Sequence, residues 1–446
     1  MEKIKQRKWH YAFFILIMSG LLLGFSRGGL MNSGGLFLTP VSNDLNVNMG
    51  VLTIYFSISS LVLMLALPIL GKLISKINIK LLIISSVILQ GGIFACFGLL
   101  SNVWGFYILS IPMAIGTAIP CHILGPVIIN SWFKKNTGLA MGIMMAISGG
   151  VSALLQPQIT SLIVNVGWRN AYWITGVIGV AVVAIIALLF IRLPSEKGAL
   201  PYGVQAVVEQ GNQNGNTTKQ QNIHVEQGIS VASAKKSISL YALVIFMLLL
   251  TAIASFSQLI SSFVVSNGFD LSFGGTAMSL QMIGALVGAL FFGVLSDKIG
   301  AKISALIALS FGVAAFTLLL IAPTSSVMVM IAMILFGFMT ASMGTLGPLL
   351  VSDVFGRKNY AAIYSIVAMG LAIGSMIGTP LFGFLYSAFN SYISVIILLL
   401  AMIGVCAGMI FLAYTFKKSM WKIEVQLQEK EQFLSEPIVL NPEISE

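Results

Sequence analysis

Charge is scarce in this sequence: 9% of its 446 residues are charged and 57% are hydrophobic. A soluble domain carries charge on about a quarter of its residues, so the composition excludes a soluble enzyme and a disordered chain. The three cysteines all fall inside apolar runs, which gives neither a disulfide framework nor metal-ligand spacing. No Walker sequence is present, which excludes nucleotide-driven pumping. The composition is that of a chain surrounded by lipid.

Long apolar runs make up most of the chain, and a helix needs about 20 such residues to cross a membrane. They predict an all-α membrane protein with twelve transmembrane helices. The predicted spans are 11–38, 49–70, 82–100, 104–130, 138–165, 171–193, 240–265, 274–295, 302–321, 326–352, 359–387 and 391–416. The predicted regions are an N-terminal six-helix half at 1–193, a polar linker at 194–238, a C-terminal six-helix half at 239–418 and a soluble, mobile tail at 419–446.

Basic residues are concentrated on one side of the predicted membrane. All but two of the 24 lysines and arginines fall in loops or segments on the side of both termini. The exceptions are Arg27, inside the first span, and Arg169, in an opposite loop. Because basic short loops remain cytoplasmic, we expect both termini to be cytoplasmic and the protein to lie in the plasma membrane.

The two halves are related by an internal repeat. The tripeptide Leu-Gly-Pro at 124–126 recurs at 346–348, an offset of 222 residues. The loop at 71–80 recurs at 293–302 with the same offset. Because each half has an even number of spans, both halves enter and leave on the same side, which predicts parallel repeats.

The loop at 293–302 has a glycine, an acid beside a base, a second glycine and a final base. This pattern closely resembles the cytoplasmic signature of the major facilitator superfamily. Segments 131–142 and 352–360 resemble the monocarboxylate transporter and oxalate:formate antiporter branch. The resemblance implies the major facilitator fold and secondary transport of a small organic anion, with a monocarboxylate expected, by alternating access. Coupling to a proton or to a counter-anion stays open.

The resemblance also implies a gate latch at the cytoplasmic loops. Asp297 is the only acid left in the paired signature loops, because Ser75 occupies the equivalent position in the first half. We expect Asp297 to dock near the start of span five, where basic side chains and a helix N-terminus favour an anion. The residues with an expected gating role are Asp297, Lys298, Lys302, Lys134, Lys135, Asp353 and Arg357.

Arg27 lies only ~4 Å from the midpoint of the first predicted span, by the helical rise per residue. An arginine near the bilayer centre costs at least about 2.5 to 3.5 kcal/mol, so it should face a wet cavity or a partner. No carboxylate occurs well inside any predicted span, and a guanidinium suits bidentate binding of a substrate carboxylate. The alternative is a structural Arg27 in an exporter of a drug-like or neutral metabolite.

Other polar residues inside the spans predict a modestly polar pocket. The expected substrate-binding residues besides Arg27 are Asn32, Tyr55, His122, Gln156, Gln258, Gln281 and Tyr364, with Gln158 and Thr340 in the same polar set. His122 has two interpretations, a protonatable relay or a neutral imidazole bonded to a local carbonyl. We expect a monomer in a lipid bilayer, with no enzyme activity, cofactor or nucleic acid partner.

Overall fold

The structure is a computed structural model that describes residues 10–73, 79–133, 137–190, 201–202, 228–356 and 359–435. These residues form helices without any strand. In the first half the helices are Tyr11–Gly24, a π-helix Phe25–Met31, Gly34–Asp44, Met49–Leu73, Ile79–Phe97, Val103–Ala118, a π-helix Ile119–Ile123, Leu124–Trp132 and Thr137–Leu189. They continue as Val231–Lys235, Ile238–Ala254, a 3-10 helix Ser255–Leu259, Ile260–Ser266, Leu271–Ile299, Ala301–Ile321, Ser326–Phe355, Tyr360–Phe389 and Tyr392–Ser435.

The number of membrane crossings follows from helix length. Within the described residues, 11 helices are long and apolar enough to span a membrane. One of them, Leu139–Leu189, has 51 residues, far more than the roughly 20 that one crossing needs. Its backbone turns at Gly167, where φ is 79°, a conformation that glycine adopts without strain. This turn separates spans five and six, so the predicted twelve-helix architecture is confirmed.

Three spans are interrupted near their middle. In the first span, the amide of Asn32 donates to the carbonyl oxygen of Arg27 at 2.8 Å, five residues back, which is the π-helical pattern. The fourth span contains a π-helical turn that begins at Ile119, and the seventh contains a 3-10 turn that begins at Ser255. In the first span, the side chains of Gln90 and Gln156 from neighbouring spans bond backbone carbonyl oxygens of the altered turn.

The two halves pack closely together at one end of the bundle. We call the end with Tyr11 and Lys417 the inner end and the opposite end the outer end. At the outer end, a Cβ on Gly35 of span one would lie 2.3 Å from the carbonyl oxygen of Gln258 on span seven. Close by, Thr39 donates a 2.8 Å hydrogen bond to Ser262. Spans from opposite halves therefore close the outer end by backbone contact.

Two short pieces of the predicted linker are described, and each pairs with an equivalent loop of one half. The amide of Tyr202 donates to the carbonyl oxygen of Trp132 at 2.8 Å. The amide of Ile229 donates to the carbonyl oxygen of Phe355 at 2.9 Å. Ile229 is fully buried, so this part of the linker packs on the C-terminal half. The polar run at 209–216 lies outside the described residues.

The segment after span twelve also differs from the expected mobile tail. The last helix continues without a break to Ser435. The indole nitrogen of Trp421 donates to the carbonyl oxygen of Val354 at 2.9 Å, which attaches the extension to the inner end of span ten. The beginning of the predicted tail is therefore an ordered continuation of span twelve.

Candidate functional site

A cavity of about 990 Å³ lies between the two halves, with walls from both. Its lining extends towards the inner end at Met141 of span five and Leu290 of span eight. At the outer end the cavity stops where the halves pack together. A ligand in the cavity would therefore have its route at the inner end in this conformation.

Arg27 is the one charged residue among those that line the cavity. It is half-buried within the π-helical turn of span one. Among the residues that the structure describes, its guanidinium has neither an ion-pair partner nor a hydrogen bond, while its charge acts on His122 and Cys121. A cation in this setting can bind an anion that enters the cavity.

Small residues place span one directly against span five. A Cβ on Gly24 would lie 2.6 Å from Val151, and one on Gly28 would lie 2.4 Å from Ser152. Gln156 of span five donates to the carbonyl oxygen of Gly28 at 3.0 Å. This contact stabilises the turn next to Arg27, so Gln156 positions the site from behind and does not line the cavity.

A second buried contact holds the other side of the π-helical turn. The Ser26 hydroxyl donates to Oε1 of Gln90 on span three at 2.6 Å, and Gln90 Nε2 donates to the Ser26 carbonyl oxygen at 3.2 Å. The same hydroxyl lies 3.2 Å from Cys121 Sγ on span four. Spans one, three and four therefore meet at one buried polar cluster directly beside Arg27.

The expected substrate-binding residues divide into two groups. Those that line the cavity are Arg27, Asn32, Tyr55, Gln258 and Gln281, together with Thr340. Those that lie elsewhere are Gln156, His122, Tyr364 and Gln158. Gln156 is buried against span one, and Gln158 is exposed on the surface of span five.

His122 and Tyr364 lie behind the lining or away from it. The Nε2 atom of His122 is buried and has no hydrogen-bond partner among the described residues. His122 belongs to the π-helical turn of span four, which packs against that of span one. Tyr364 stacks on Tyr360 near the inner end of span eleven, with ring centroids 5.5 Å apart.

The C-terminal wall supplies uncharged hydrogen-bonding groups. Gln281 Nε2 donates to Thr340 Oγ1 at 3.1 Å, and this hydroxyl donates to the Gly337 carbonyl oxygen. Gln258 Oε1 is buried without a partner among the described residues. The Gln281 amide is therefore already hydrogen-bonded within the protein, whereas the Gln258 amide oxygen has no hydrogen-bond partner among the described residues.

Sequence reasoning missed the apolar and aromatic part of the lining. The missed residues include Phe56, Phe94, Phe97 and Tyr172, and the methionines Met31, Met113, Met141, Met145, Met278, Met282 and Met343. Some of them could have been predicted, because residues three or four positions from Tyr55 or Gln281, and their neighbours, share one helix face with it. Positions 56, 59, 60 and 63 line the cavity on span two, and positions 278, 281, 282 and 285 do so on span eight.

The predicted gating residues are only partly described. Lys134, Lys135 and Arg357 lie outside the described residues. Asp297 and Lys298 are exposed, and neither forms an ion pair with a described residue.

The remaining two gating residues contact span twelve of their own half. Asp353 forms an ion pair with Lys417 at 2.9 Å and accepts a hydrogen bond from Tyr414. The ammonium group of Lys302 lies 5.0 Å from the centre of the Phe411 ring. These contacts fasten spans nine, ten and twelve together at the inner end.

Twelve apolar crossings in two parallel halves, with a ligand-sized cavity between them, define a polytopic membrane transporter. A family model described as Major Facilitator Superfamily matches residues 16–276 and 242–440. The chain therefore belongs to the major facilitator superfamily, and it is a transporter.

Relatives of known sequence agree at the level of the superfamily. The chain is 28% identical to the riboflavin transporter RibJ of Trypanosoma brucei brucei over 40% of this chain, a match that spans 34% of RibJ. It is 23% identical to the MFS transporter asaE of Aspergillus flavus, covering 83% of this chain and 79% of asaE. It is also 23% identical to the uncharacterized MFS-type transporter YhjX of Escherichia coli, covering 81% and 86%. None of these three is named for a monocarboxylate.

Solved structures share the fold. The nucleoside transporter NupG superimposes with a TM-score of 0.67 at 12% identity, covering 93% of this chain and all of NupG. A bacterial homologue of the human lysosomal transporter Spinster gives a TM-score of 0.63 at 14% identity, covering 93% of this chain and 98% of that chain.

Proposed function

We propose that the protein is a secondary active transporter that moves a small organic anion across the plasma membrane by alternating access. A monocarboxylate is the simplest substrate of this class. Both termini lie in the cytoplasm in this proposal, because the basic loops share their side. The single observation that carries the proposal is Arg27, a cation that lines the cavity without a protein partner among the described residues.

Energetics supports a ligand as the partner of Arg27. A charge near the bilayer centre costs at least about 2.5 to 3.5 kcal/mol. Three buried hydrogen bonds of Gln90 and Gln156 stabilise the turn that carries Arg27. An anion bound by the guanidinium would offset that cost and would gain two parallel hydrogen bonds.

The test compares two arginines in the purified, full-length protein. Lactate, pyruvate and benzoate are first screened by thermal shift, since a ligand that binds the folded form raises its stability. Arg27→Gln should then lower anion affinity by about 30-fold to several thousand-fold, which corresponds to roughly 2 to 5 kcal/mol. Arg27→Lys should fall between, because it keeps the charge and loses the bidentate geometry.

Arg169 is the matched control, because it is ion-paired with Asp44 at 2.8 Å on the outer surface, away from the cavity lining. Arg169→Gln should leave anion affinity within a few-fold of the wild type, on the scale of an exposed ion pair. A well-folded Arg27→Gln protein with near-wild-type anion affinity would refute the proposal. It would then favour a structural Arg27.

A second candidate is export of a drug-like or neutral metabolite. It is favoured by the uncharged Gln258 and Gln281 amides on the C-terminal wall. It is also favoured by one relative named for riboflavin and by a structural neighbour named for nucleosides, which are uncharged molecules. In that case Arg27→Gln and Arg27→Lys would both lower the melting temperature, and the surviving protein would bind its ligand normally.

A further inference from the structure

The outer part of the cavity has an aromatic wall on the N-terminal half. Phe56 of span two is half-buried and lines the cavity. Its ring stacks on Tyr55, with centroids 4.1 Å apart. Tyr55 in turn packs on Phe97 and Phe106, at centroid distances of 5.9 Å and 6.0 Å. We call Phe56 and Tyr55 the aromatic shelf.

The shelf is held in place before any ligand arrives. Tyr55 is only 5% exposed, and Phe97 and Phe106 behind it are buried. Gly34 of span one faces it, and a Cβ there would lie 3.2 Å from the Tyr55 hydroxyl and 3.3 Å from the Phe56 ring. Among the described residues, Phe56 has a ring contact only with Tyr55, so it can accept a further ring on its cavity side.

The C-terminal half faces the cavity with flexible thioethers. Met278 and Met282 of span eight line it at positions equivalent to Phe56 and Ser60 in the repeat. Methionine side chains are unbranched and polarizable, adapt to irregular shapes and make favourable contacts with aromatic rings. The aromatic residues of the lining thus lie on the N-terminal half, and Met278 and Met282 give the C-terminal wall an adaptable apolar patch.

The distance between charge and shelf limits the ligand. Arg27 and Gly34 are seven positions apart on the interrupted first span, on the order of 10 Å along its axis by the helical rise. Gly34 is a residue of span one that faces the shelf. An anion of two or three carbons is shorter than this separation. A molecule with a carboxylate at one end and a ring at the other would contact both.

Building on the proposed function, we propose that the transported anion is an aromatic carboxylate. Its carboxylate binds Arg27, and its ring lies on Phe56, opposite the methionines of span eight. The expected gain over acetate is on the order of 10- to 100-fold in affinity, from burial of apolar ring surface and from ring contacts.

The experiment measures binding to the purified full-length protein by isothermal titration. The probes are acetate, cyclohexanecarboxylate, benzoate, 2-naphthoate and 2-naphthamide. We expect 2-naphthoate to bind 10- to 100-fold more tightly than acetate, and benzoate to bind more tightly than cyclohexanecarboxylate, which has a ring without π-electrons. This series uses the unmodified chain, so it does not depend on the folding of a variant.

A variant then locates the ring. Phe56→Leu should weaken 2-naphthoate about 10-fold and leave acetate unchanged, because only the aromatic ligand reaches the shelf. The matched control is Phe291→Leu on span eight, since Phe291 is exposed and does not line the cavity. It should change neither affinity.

The outcomes separate this proposal from the proposed function. Acetate binding as tightly as 2-naphthoate, or an equal effect of Phe56→Leu on both, would overturn the aromatic ligand while leaving anion transport intact. If 2-naphthamide binds as tightly as 2-naphthoate and Phe56→Leu weakens both, the ring site stands and the anion proposal fails.

Discussion

The two halves of this transporter build opposite walls of one cavity from the same helical positions. Span two lines it at positions 56, 59, 60 and 63, and span eight lines it at positions 278, 281, 282 and 285, each 222 residues later. The side chains at these equivalent positions differ, however. Phe56 corresponds to Met278, and Ser59 corresponds to Gln281. The repeat preserved the geometry of the walls and left their chemistry free to diverge.

The halves also differ in helix regularity. The N-terminal half has π-helical turns in spans one and four. In the C-terminal half, span ten is equivalent to span four, and it is one continuous helix, Ser326–Phe355. The charged residue of the cavity lies on one of the interrupted spans. Irregular backbone in a membrane needs hydrogen-bond partners from neighbouring spans, and here Gln90 and Gln156 provide them. The N-terminal half therefore carries the charge together with the polar groups that support it.

The largest expected effect on stability tests this support. Gln90 is fully buried and bonds both the hydroxyl and the carbonyl oxygen of Ser26. Gln90→Leu should lower the free energy of unfolding by roughly 2 to 4 kcal/mol, because each buried polar group left unpaired costs about 1 to 3 kcal/mol. Thermal melting of the purified protein measures the loss. A melting temperature within a degree of the wild type would mean that the turn does not need this contact.

The next effect separates packing between the halves from packing inside one half. Gly35→Ala places a methyl group against the carbonyl of Gln258 in the other half. The overlap should cost about 1 to 3 kcal/mol in the closed outer end and shift the conformational equilibrium roughly 5- to 150-fold towards an open outer end. A single cysteine at Ser257, in a cysteine-free background, should then react faster with an impermeant thiol reagent added outside.

Two glycines serve as controls for Gly35. Gly29→Ala meets only an ordinary contact of 3.5 Å with Leu155 and should leave the labelling rate unchanged. Gly284→Ala overlaps Ile334 of its own half, at 2.3 Å from the carbonyl oxygen, so it should lower stability without opening the outer end. Faster labelling in Gly284→Ala would show that the distinction between the two kinds of packing is wrong.

A smaller effect is expected from the uncharged wall. Gln281→Leu removes an amide that already bonds Thr340, so the ligand loses at most one neutral hydrogen bond. We expect affinity to fall about 2- to 10-fold, in line with roughly 0.5 to 1.5 kcal/mol for such a bond. Isothermal titration of the ligand found in the screen measures it. A loss larger than that of Arg27→Gln would reverse the assignment of the main binding wall to the N-terminal half.

The smallest effect concerns two exposed ion pairs between described residues, Asp44 with Arg169 in the N-terminal half and Asp353 with Lys417 in the C-terminal half. Asp44 pairs with Arg169 at the outer end, and Asp353 pairs with Lys417 at the inner end, both at 2.8 to 2.9 Å and partly exposed. Asp44→Asn and Asp353→Asn should each cost about 0.2 to 1 kcal/mol, and less at high salt. Melting curves at two salt concentrations check this. A loss above about 2 kcal/mol for Asp353→Asn would assign it a larger role in joining spans ten and twelve.

Residue types alone predicted part of the cavity lining. Arg27 stands out because a charge deep in an apolar span needs a wet surface or a partner, and it lines the cavity. Gln156 and Gln281 were indistinguishable at that level, since each is an amide in the middle of a span. Gln156 bonds the carbonyl of Gly28, whereas Gln281 faces the cavity. Which face of a span meets which neighbour decides between these roles.

The aromatic shelf shows the same limit. Phe56 is one of 28 phenylalanines, and most positions in a lipid-solvated helix accept an apolar side chain, so its residue type carries little information. Its place beside Gly34 of span one depends on how two separate spans cross.

The sequence by itself determined the lipid surroundings, the twelve crossings, the repeat and the presence of a charge inside an apolar span, because hydropathy and charge act residue by residue along each span. The tertiary structure alone decided the π-helical turns, the closed outer end, the lining of the cavity and the placement of its aromatic residues on the N-terminal wall. These features arise from contacts between residues far apart in the chain, such as Gln90 with Ser26 and Gly35 with Gln258. Their energies depend on distance and orientation in space, which residue order along the chain does not specify.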